Sequence, residues 1–388
     1  TVAYVNEHMD TLSGISVNED MIRKYNYSEY FSSIIGYTGP ISESEYTALH
    51  KKNKDYTQND TVGKAGLEQY YKTYLRGKNG EQKFYIDNVG RISEIISSTD
   101  SVAGDDLYLS IDADLQKATY LALQNEIAAI VYSNIKSGEI PINDVYTALI
   151  GNSVINTEHF SKAKASDTEK NVLSVFKSRQ KTTLGKIKQE LTSSPEALNT
   201  MSDEVLDEFT YIISMLKDDQ VLLKNEIDTS DSVYQKWKNQ KISPKEYLSY
   251  CITQHWIDIS QLNVDEKYAD STEVYDALCK YILKNIKTDT EFSKIIYQYM
   301  ITRGEISPRQ LCLILFDQGV LDYDDATVNK LKNGSLSPRD FLMKKIYNIE
   351  ITPAQLALEP CTGSCVVTDE KTGEIRAMVS YPGYDSNK

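Results

Sequence analysis

The sequence predicts an α+β protein with a mixed region over 1–125, a mostly helical region over 126–350 and a closing segment over 351–388 that holds a β-hairpin. Three observations carry this. Apolar and polar residues alternate, with the period of a half-buried strand, over Leu107–Ile111 and Val366–Ser380, and Phe84–Ile86 and Ile92–Ile96 are further strand candidates. From Asp112 to about 350 the apolar residues recur at helical spacing instead, and alternation nearly vanishes. Finally, Ser194-Pro195, Ser243-Pro244, Ser307-Pro308, Ser337-Pro338 and Thr352-Pro353 mark helix starts. Ser or Thr accepts a backbone N–H at the N-cap, and Pro at the first helical position needs no donor.

Taken in order, Ile15, Val17, Met21 and Ile22 suggest a short strand and turn, and Asn26–Phe31 opens a helix leading to Ile34-Ile35. Gly36, Gly39 and Pro40 read as a turn, and Ser42 with Glu45 as a capping box. Gly63 and Gly66 allow a tight entry into a helix over Gly66–Leu75, with Leu67, Tyr70, Tyr71 and Tyr74 as its apolar stripe. Lys64 alone between these glycines is weak support for a phosphate loop, since no Lys-Ser/Thr follows. Glu68 complements the dipole of the first turn, and Gly77 stops the helix. Phe84–Ile86 and Ile92–Ile96 flank a turn at Asn88-Val89-Gly90, and Leu107, Leu109 and Ile111 form a half-buried strand. Asp112 caps a helix carrying Leu115, Ala118, Leu121, Ala122, Ala128, Ala129 and Tyr132, interrupted at Asn125.

The helical region divides into candidates at 143–150, 157–163, 167–192, 195–199, 202–217, 218–226, 230–238, 244–256, 271–286, 289–303, 308–318, 324–332 and 338–347. Glu246, Gln310 and Gln355 stand at the third helical position and would complete capping boxes. The Ser/Thr-Pro starts are unequally spaced, which excludes a solenoid. In the closing hairpin, Val366–Thr368 and Glu374–Ser380 are the strands, with Ile375, Ala377 and Val379 on one face. Lys371, Thr372 and Gly373 belong to the turn between them.

A net charge of −14 and a pI near 4.9 argue against nucleic acid and anionic membrane surfaces as partners. No apolar run reaches the roughly 18 residues of a membrane helix. The four histidines are scattered and the five cysteines do not form a zinc pattern, so no metal and no cofactor are assigned. Cys361 and Cys365 flank Thr-Gly-Ser and would bridge only if the chain turned sharply. The 28 tyrosines read as amphipathic packing, with a carbohydrate-binding face as the minor alternative. The carboxylate pairs Asp105-Asp106, Asp218-Asp219 and Asp324-Asp325 read as caps or solvated faces.

Val366 to Asn387 resembles the hairpin V-V-x-D-x-x-T-G-E-I-x-A-M-V-S-Y-P-x-Y-D-x-N that opens the transpeptidase domain of class B penicillin-binding proteins. Val62–Tyr71 with Leu75-Arg76-Gly77 resembles the V-G-K-x-G-L-E-x-x-Y…L-R-G block of the same family's non-catalytic pedestal, also called the dimerisation domain. Ile34–Glu45, Asn88-Val89-Gly90-Arg91 and Gly104–Gln116 fit its remaining blocks in family order. The resemblance thus spans 1–125 and 351–388. Because the family connects Gln116 to Val366 by a short link, the helical region is an insertion.

The resemblance implies a structural motif of Gly63, Lys64, Gly66, Leu67, Glu68, Arg76, Gly77, Gly90 and Arg91, with Glu68 expected to pair with Arg76 or Arg91. It implies no catalytic residue here, since the family's Ser-x-x-Lys, Ser-x-Asn and Lys-Thr-Gly elements would follow the hairpin. Ser161–Lys164, Ser174–Lys177 and Ser178–Lys181 spell the first by chance in a Lys/Ser-rich stretch. Ser16–Asn18 lies upstream of them, against family order, and Lys371–Gly373 is a turn. The expected parent is a D,D-transpeptidase at the extracytoplasmic face of the membrane, anchored by a helix upstream of Thr1 and binding peptidoglycan stem peptides and β-lactams. Cell-wall synthesis proteins are the expected partners, and a homodimer stays open. The competing expectation is an independent helical interaction or surface-adhesion module. In the hairpin's case, loss of its covering domain should leave it docked on the pedestal, paired with a second chain, or mobile.

Overall fold

The computed structural model describes residues 2–8, 23–86, 92–193, 196–264 and 269–387. It forms two compact units, Thr1–Ile127 with Pro360–Lys388, and Ala128–Glu359. The class is α+β with large helical content.

Among the described residues of the first unit, the strands form three two-stranded antiparallel sheets. β1 (Thr38–Pro40) pairs with β2 (Thr61–Gly63), placing Gly39 opposite Val62. β3 (Glu81–Ile86) pairs with β4 (Ile92–Thr99), placing Phe84 opposite Ile95. β5 (Gly363–Thr368) pairs with β6 (Ile375–Tyr381), placing Val366 opposite Met378. Leu49, Tyr56 and Val62 make a small core, covered by Ile41.

Several expectations are corrected here. Gly36–Pro40 is not simply a turn, because Thr38–Pro40 is β1; Pro40 stands at its end, where proline is tolerated. The helix expected over 66–75 breaks at Tyr71 into Gly66–Tyr70 and Lys72–Leu75. Tyr70 and Tyr74 are exposed, and the inward residue is Glu68. Leu107–Ile111 pairs with no strand among the described residues, and Leu107 and Leu109 are exposed, since alternation needs a neighbouring ladder to become a sheet. The helix Ala113–Ser137 runs through Asn125 without interruption. Asn costs a helix only a fraction of a kcal/mol, and buried Ile127, Ala128, Val131 and Ile135 outweigh it. The region of Ile15–Ile22 lies outside the described residues.

The second unit is helical, with no strand among its described residues beyond the single bridge Leu222–Ile257. Asp167–Thr192 and Ser271–Ile286 have the expected limits because their ends are chemically marked. Ser166 with Glu169 and Asp270 with Glu273 form reciprocal capping boxes. Ser307 with Gln310 and Thr352 with Gln355 do the same, whereas Ser243 accepts from the Glu246 N–H without the return bond. The 157–163 candidate is a 3-10 turn over Thr157–Ser161, and the 195–199 candidate is another over Leu198–Thr200. The Ser194-Pro195 start lies outside the described residues. No helix forms over 218–226: Val221 and Leu222 are fully buried, and the bridge holds this segment. Phe176 stacks on Tyr297 at 4.2 Å, with Phe160 edge-on to the same ring at 6.0 Å. Pro353–Leu356 packs with this unit, where Asn152 donates to the Leu356 carbonyl at 2.5 Å.

Candidate functional site: the motif frame and the hairpin seat

The motif residues of the first unit assemble around places where backbone meets backbone. A Cβ on Gly63 would lie 2.0 Å from the Glu68 carbonyl oxygen. Gly66 has φ +58°, and a Cβ there would lie 2.4 Å from the Ile34 carbonyl. Only glycine fits both demands at once. Gly77 leads into Lys78, which exchanges backbone hydrogen bonds with Val102 at 2.8 and 2.9 Å.

Charge then fixes the frame. The Lys64 ammonium meets Glu45 at 2.5 Å, and the Lys64 backbone N–H donates to the Tyr37 carbonyl at 2.8 Å. The Lys64 contact, with the Ser42 N–H, holds the Glu45 carboxyl at about 2. Glu68 is buried and faces Arg23 Nε at 3.2 Å and the Tyr25 hydroxyl at 3.4 Å. Arg23 also donates to the Leu75 carbonyl at 2.9 Å. Of the two partners expected for Glu68, Arg76 is therefore corrected, and Arg91 lies outside the described residues. Arg76 instead holds Asp60 at 2.5 Å, donates to the Asp55 carbonyl at 2.6 Å and stacks over Tyr56 at 4.2 Å. Burial raises the Asp60 carboxyl, but Thr57 and Arg76 outweigh it and keep the group below its usual range. Leu67 is half-buried. Gly90 and Arg91 lie outside the described residues.

The closing hairpin is seated in the same unit. Gln116, fully buried, donates through Nε2 to the Tyr30 and Met378 carbonyls and accepts the Met378 N–H through Oε1, each at 2.8 Å. Its side-chain amide thus stands in for one residue of a neighbouring strand. Ala377, Val379 and Tyr381 are buried, and Tyr381 lies 5.5 Å from Tyr120, ring to ring. The Tyr120 hydroxyl accepts from the Gly383 N–H at 3.2 Å, and burial pushes that phenol up to about 12. A Cβ on Gly383 would fall 1.8 Å from the Glu29 carbonyl. Ser32 Oγ accepts from the Tyr384 N–H at 3.1 Å, and Asn387 accepts from the Tyr25 N–H at 2.8 Å. Of the three outcomes expected for the hairpin, docking is the one found. Lys371 and Thr372 donate backbone N–H groups to Asp369 at 2.8 and 3.1 Å, and Gly373 takes φ +73°, which is turn chemistry.

Sequence reasoning missed Arg23, Tyr25 and Tyr120. It had Gln116 inside a family block without a role for it.

In the second unit, Ser174 and Ser178 are exposed on the Asp167–Thr192 helix, and Ser161 donates to the Glu158 carbonyl at 2.9 Å. One Arg179 guanidinium nitrogen donates to both Glu204 carboxylate oxygens at 2.6 and 2.8 Å, and Arg303 meets the same carboxylate at 2.6 Å. Nearby Glu208 is pushed up to about 8 by burial, with the Glu204 charge second. This cluster ties helices together and offers no nucleophile. Cys251, Cys279 and Cys312 are buried thiols, and Cys361 and Cys365 are half-buried and not bridged to each other. Among the described residues, no group of three His, Cys, Asp or Glu could hold a metal, and no helix is long and apolar enough to cross a membrane.

Residues 1–109 match the penicillin-binding protein dimerisation domain. Peptidoglycan D,D-transpeptidase MrdA of Salmonella typhimurium strain LT2 is 30% identical over 130 residues, 33% of this chain and 21% of that protein. Penicillin-binding protein 2A of Bacillus subtilis is 32% identical over 130 residues, 33% of this chain and 18% of its own length. MrdA of Escherichia coli K12 is 29% identical over 129 residues, 33% of this chain and 20% of its length. The chain matches about a fifth of the length of these relatives. The matched segment makes the N-terminal part of this chain similar to the penicillin-binding protein dimerisation domain, the family to which its motif blocks also point.

Proposed function

We propose that the chain is the non-catalytic pedestal of a membrane-anchored peptidoglycan D,D-transpeptidase, working at the extracytoplasmic face as a spacer and a scaffold for cell-wall synthesis partners. The observation that carries this is the seat of the hairpin. Val366–Asn387 resembles the entry to a transpeptidase domain, and Gln116, Tyr120 and Ser32 fix that segment to the unit that holds the dimerisation-domain match. A rigid seat at this point sets the height and orientation of whatever the hairpin leads into.

In this reading a serine of the catalytic domain attacks the carbonyl of D-Ala-D-Ala, forming an acyl-enzyme and expelling the terminal D-alanine. An amine of a second stem peptide then attacks the ester and releases the serine. No residue of this chain takes part in either step. The buried ion cluster and the motif frame act on position, not on bonds.

Fluorescent penicillin tests the reading on a denaturing gel. The full product of the gene should be labelled, and the chain of residues 1–388 should not. Failure of the full product to label would leave the independent helical module as the better reading. Labelling of 1–388 that Ser174→Ala or Ser178→Ala abolishes would overturn the non-catalytic role.

A further inference from the structure

A groove of about 500 Å³ lies beside the helices Asp167–Thr192 and Ser271–Ile286 in the second unit. Lys177, Lys181, Lys188 and Lys287 line it together with Leu184 and Leu283, and no carboxylate does. On a chain with 56 acidic against 42 basic residues, this is a reversal of the prevailing charge. The ion pairs that lysines form among the described residues are those of Lys64, Lys83, Lys294 and Lys345, so the four groove lysines have no carboxylate partner there.

Helical spacing puts Lys177, Lys181, Leu184 and Lys188 along one face of a single helix. Like charges one turn apart repel, so the stripe disfavours the helix that carries it. A second feature points the same way. Gly185 sits inside this helix with nothing within 4 Å of the place a Cβ would occupy. Glycine there costs about 1 kcal/mol against alanine, and no internal contact requires it. What it supplies is an open approach to the helix backbone at the middle of the groove. Gln180 fixes one wall by donating to the Lys287 carbonyl at 3.0 Å.

We infer that this groove binds an acidic segment of a partner polypeptide. Its carboxylates meet the lysine rim, and an apolar side chain rests on Leu184 and Leu283 over Gly185. A polyphosphate would satisfy the lysines and leave the two half-buried leucines unmatched. A bilayer surface is too flat to enter a concave site. The mixture of charge and apolar floor is that of a peptide-recognition groove.

The inference deepens the partner-scaffold reading and rests on it for its biological setting. Binding by the isolated chain reports on the groove, and penicillin labelling of the longer protein reports on the pedestal, so each can fail alone.

Fluorescence anisotropy on the full 388-residue chain, with a fluorescein-labelled peptide of alternating glutamate and leucine, provides the test. Saturable, salt-sensitive binding is expected, with none by a lysine–leucine control peptide. Neutralising Lys177, Lys181 and Lys188 together to glutamine should weaken binding roughly tenfold or more, at up to about a kcal/mol for each exposed ion pair. Gly185→Leu keeps every lysine and favours the helix, so its loss of binding would report blocked access and not unfolding. Circular dichroism checks both variants. Binding that survives either variant unchanged overturns the inference. So does competition by polyphosphate as effective as that by unlabelled peptide, or binding to phosphatidylglycerol vesicles without binding to the peptide.

Discussion

Replacing Gln116 by alanine should release the closing hairpin while leaving most of the fold intact. The side chain is fully buried and makes three hydrogen bonds of 2.8 Å to the backbone of Tyr30 and Met378. Alanine leaves the Met378 carbonyl and N–H without this partner and takes one of two donors from the Tyr30 carbonyl, which lies in the helix Ser28–Ile35. Each such loss costs about 1–3 kcal/mol, less where water can enter. Met378 is 37% exposed, so its two groups recover part of their hydration. Roughly 3–4 kcal/mol remains, and two strands alone are marginal in water. The Met378 amide is the reporter, because its proton is held by Gln116 itself. Hydrogen exchange there should accelerate on the order of a hundredfold to a thousandfold, at about 1.4 kcal/mol per decade. Amides in the Asp167–Thr192 helix of the other unit should be unaffected. Gln116→Glu keeps the acceptor but turns a fully buried carboxylate oxygen toward the two carbonyls, so it should accelerate exchange at least as much as alanine. Exchange at Met378 that stays within about threefold of native in the alanine variant would show that burial of Ala377, Val379 and Tyr381 holds the hairpin without help from the amide.

Other substitutions probe the frame and the helical unit. Gly63→Ala places a Cβ 2.0 Å from the Glu68 carbonyl and should cost on the order of 2–3 kcal/mol in urea unfolding of the first unit; an unchanged midpoint would deny the close approach. A double-mutant cycle of Arg23→Met with Glu68→Gln should return a coupling of about 1 kcal/mol, and a value near zero would remove this pair from the frame. Glu208, neutral in the folded unit and ionised in the unfolded chain, favours the fold below the ordinary carboxylate range, and that advantage is lost as pH rises toward about 8. Glu208→Gln should therefore flatten the loss of stability between about pH 4.5 and 8, by an amount on the order of a few kcal/mol at the upper end, and an identical pH profile would refute the shift. In the transpeptidase proposed above, deleting 140–345 with a short linker should leave transpeptidation measurable in vitro while disturbing localisation in cells; a folded deletion without activity would contradict the proposed scaffold role.

What was legible in the sequence was whatever local chemistry decides. Asp167–Thr192 and Ser271–Ile286 end where expected because Ser166 with Glu169, and Asp270 with Glu273, close their first turns within three residues. The hairpin strands were legible because Gly373 and Asp369 define the turn without outside help. The misses required a partner far along the chain. Leu107–Ile111 has the alternation of a strand but no ladder beside it among the described residues. Val221 and Leu222 looked helical, yet full burial and the bridge to Ile257 hold them irregular. Glu68 was legible as important and not in its partnership, since Arg23 and Asp60 competed for roles that charge alone cannot distribute.

The same division explains what the family blocks are physically. Gly63, Gly66 and Gly383 stand where a carbonyl of another segment would lie 1.8 to 2.4 Å from a Cβ. Such contacts join main chain to main chain, so no pattern of apolar residues announces them. Glycine is their only trace in a sequence, and it marks one side of the contact while leaving the other unnamed. The Glu68, Ile34 and Glu29 carbonyls are those other sides, and any residue type can supply a carbonyl. A motif of this kind therefore specifies geometry without chemistry. It marks a frame of main-chain contacts, and the side-chain chemistry of the proposed partner contact lies elsewhere, on the lysine-lined groove of the helical unit.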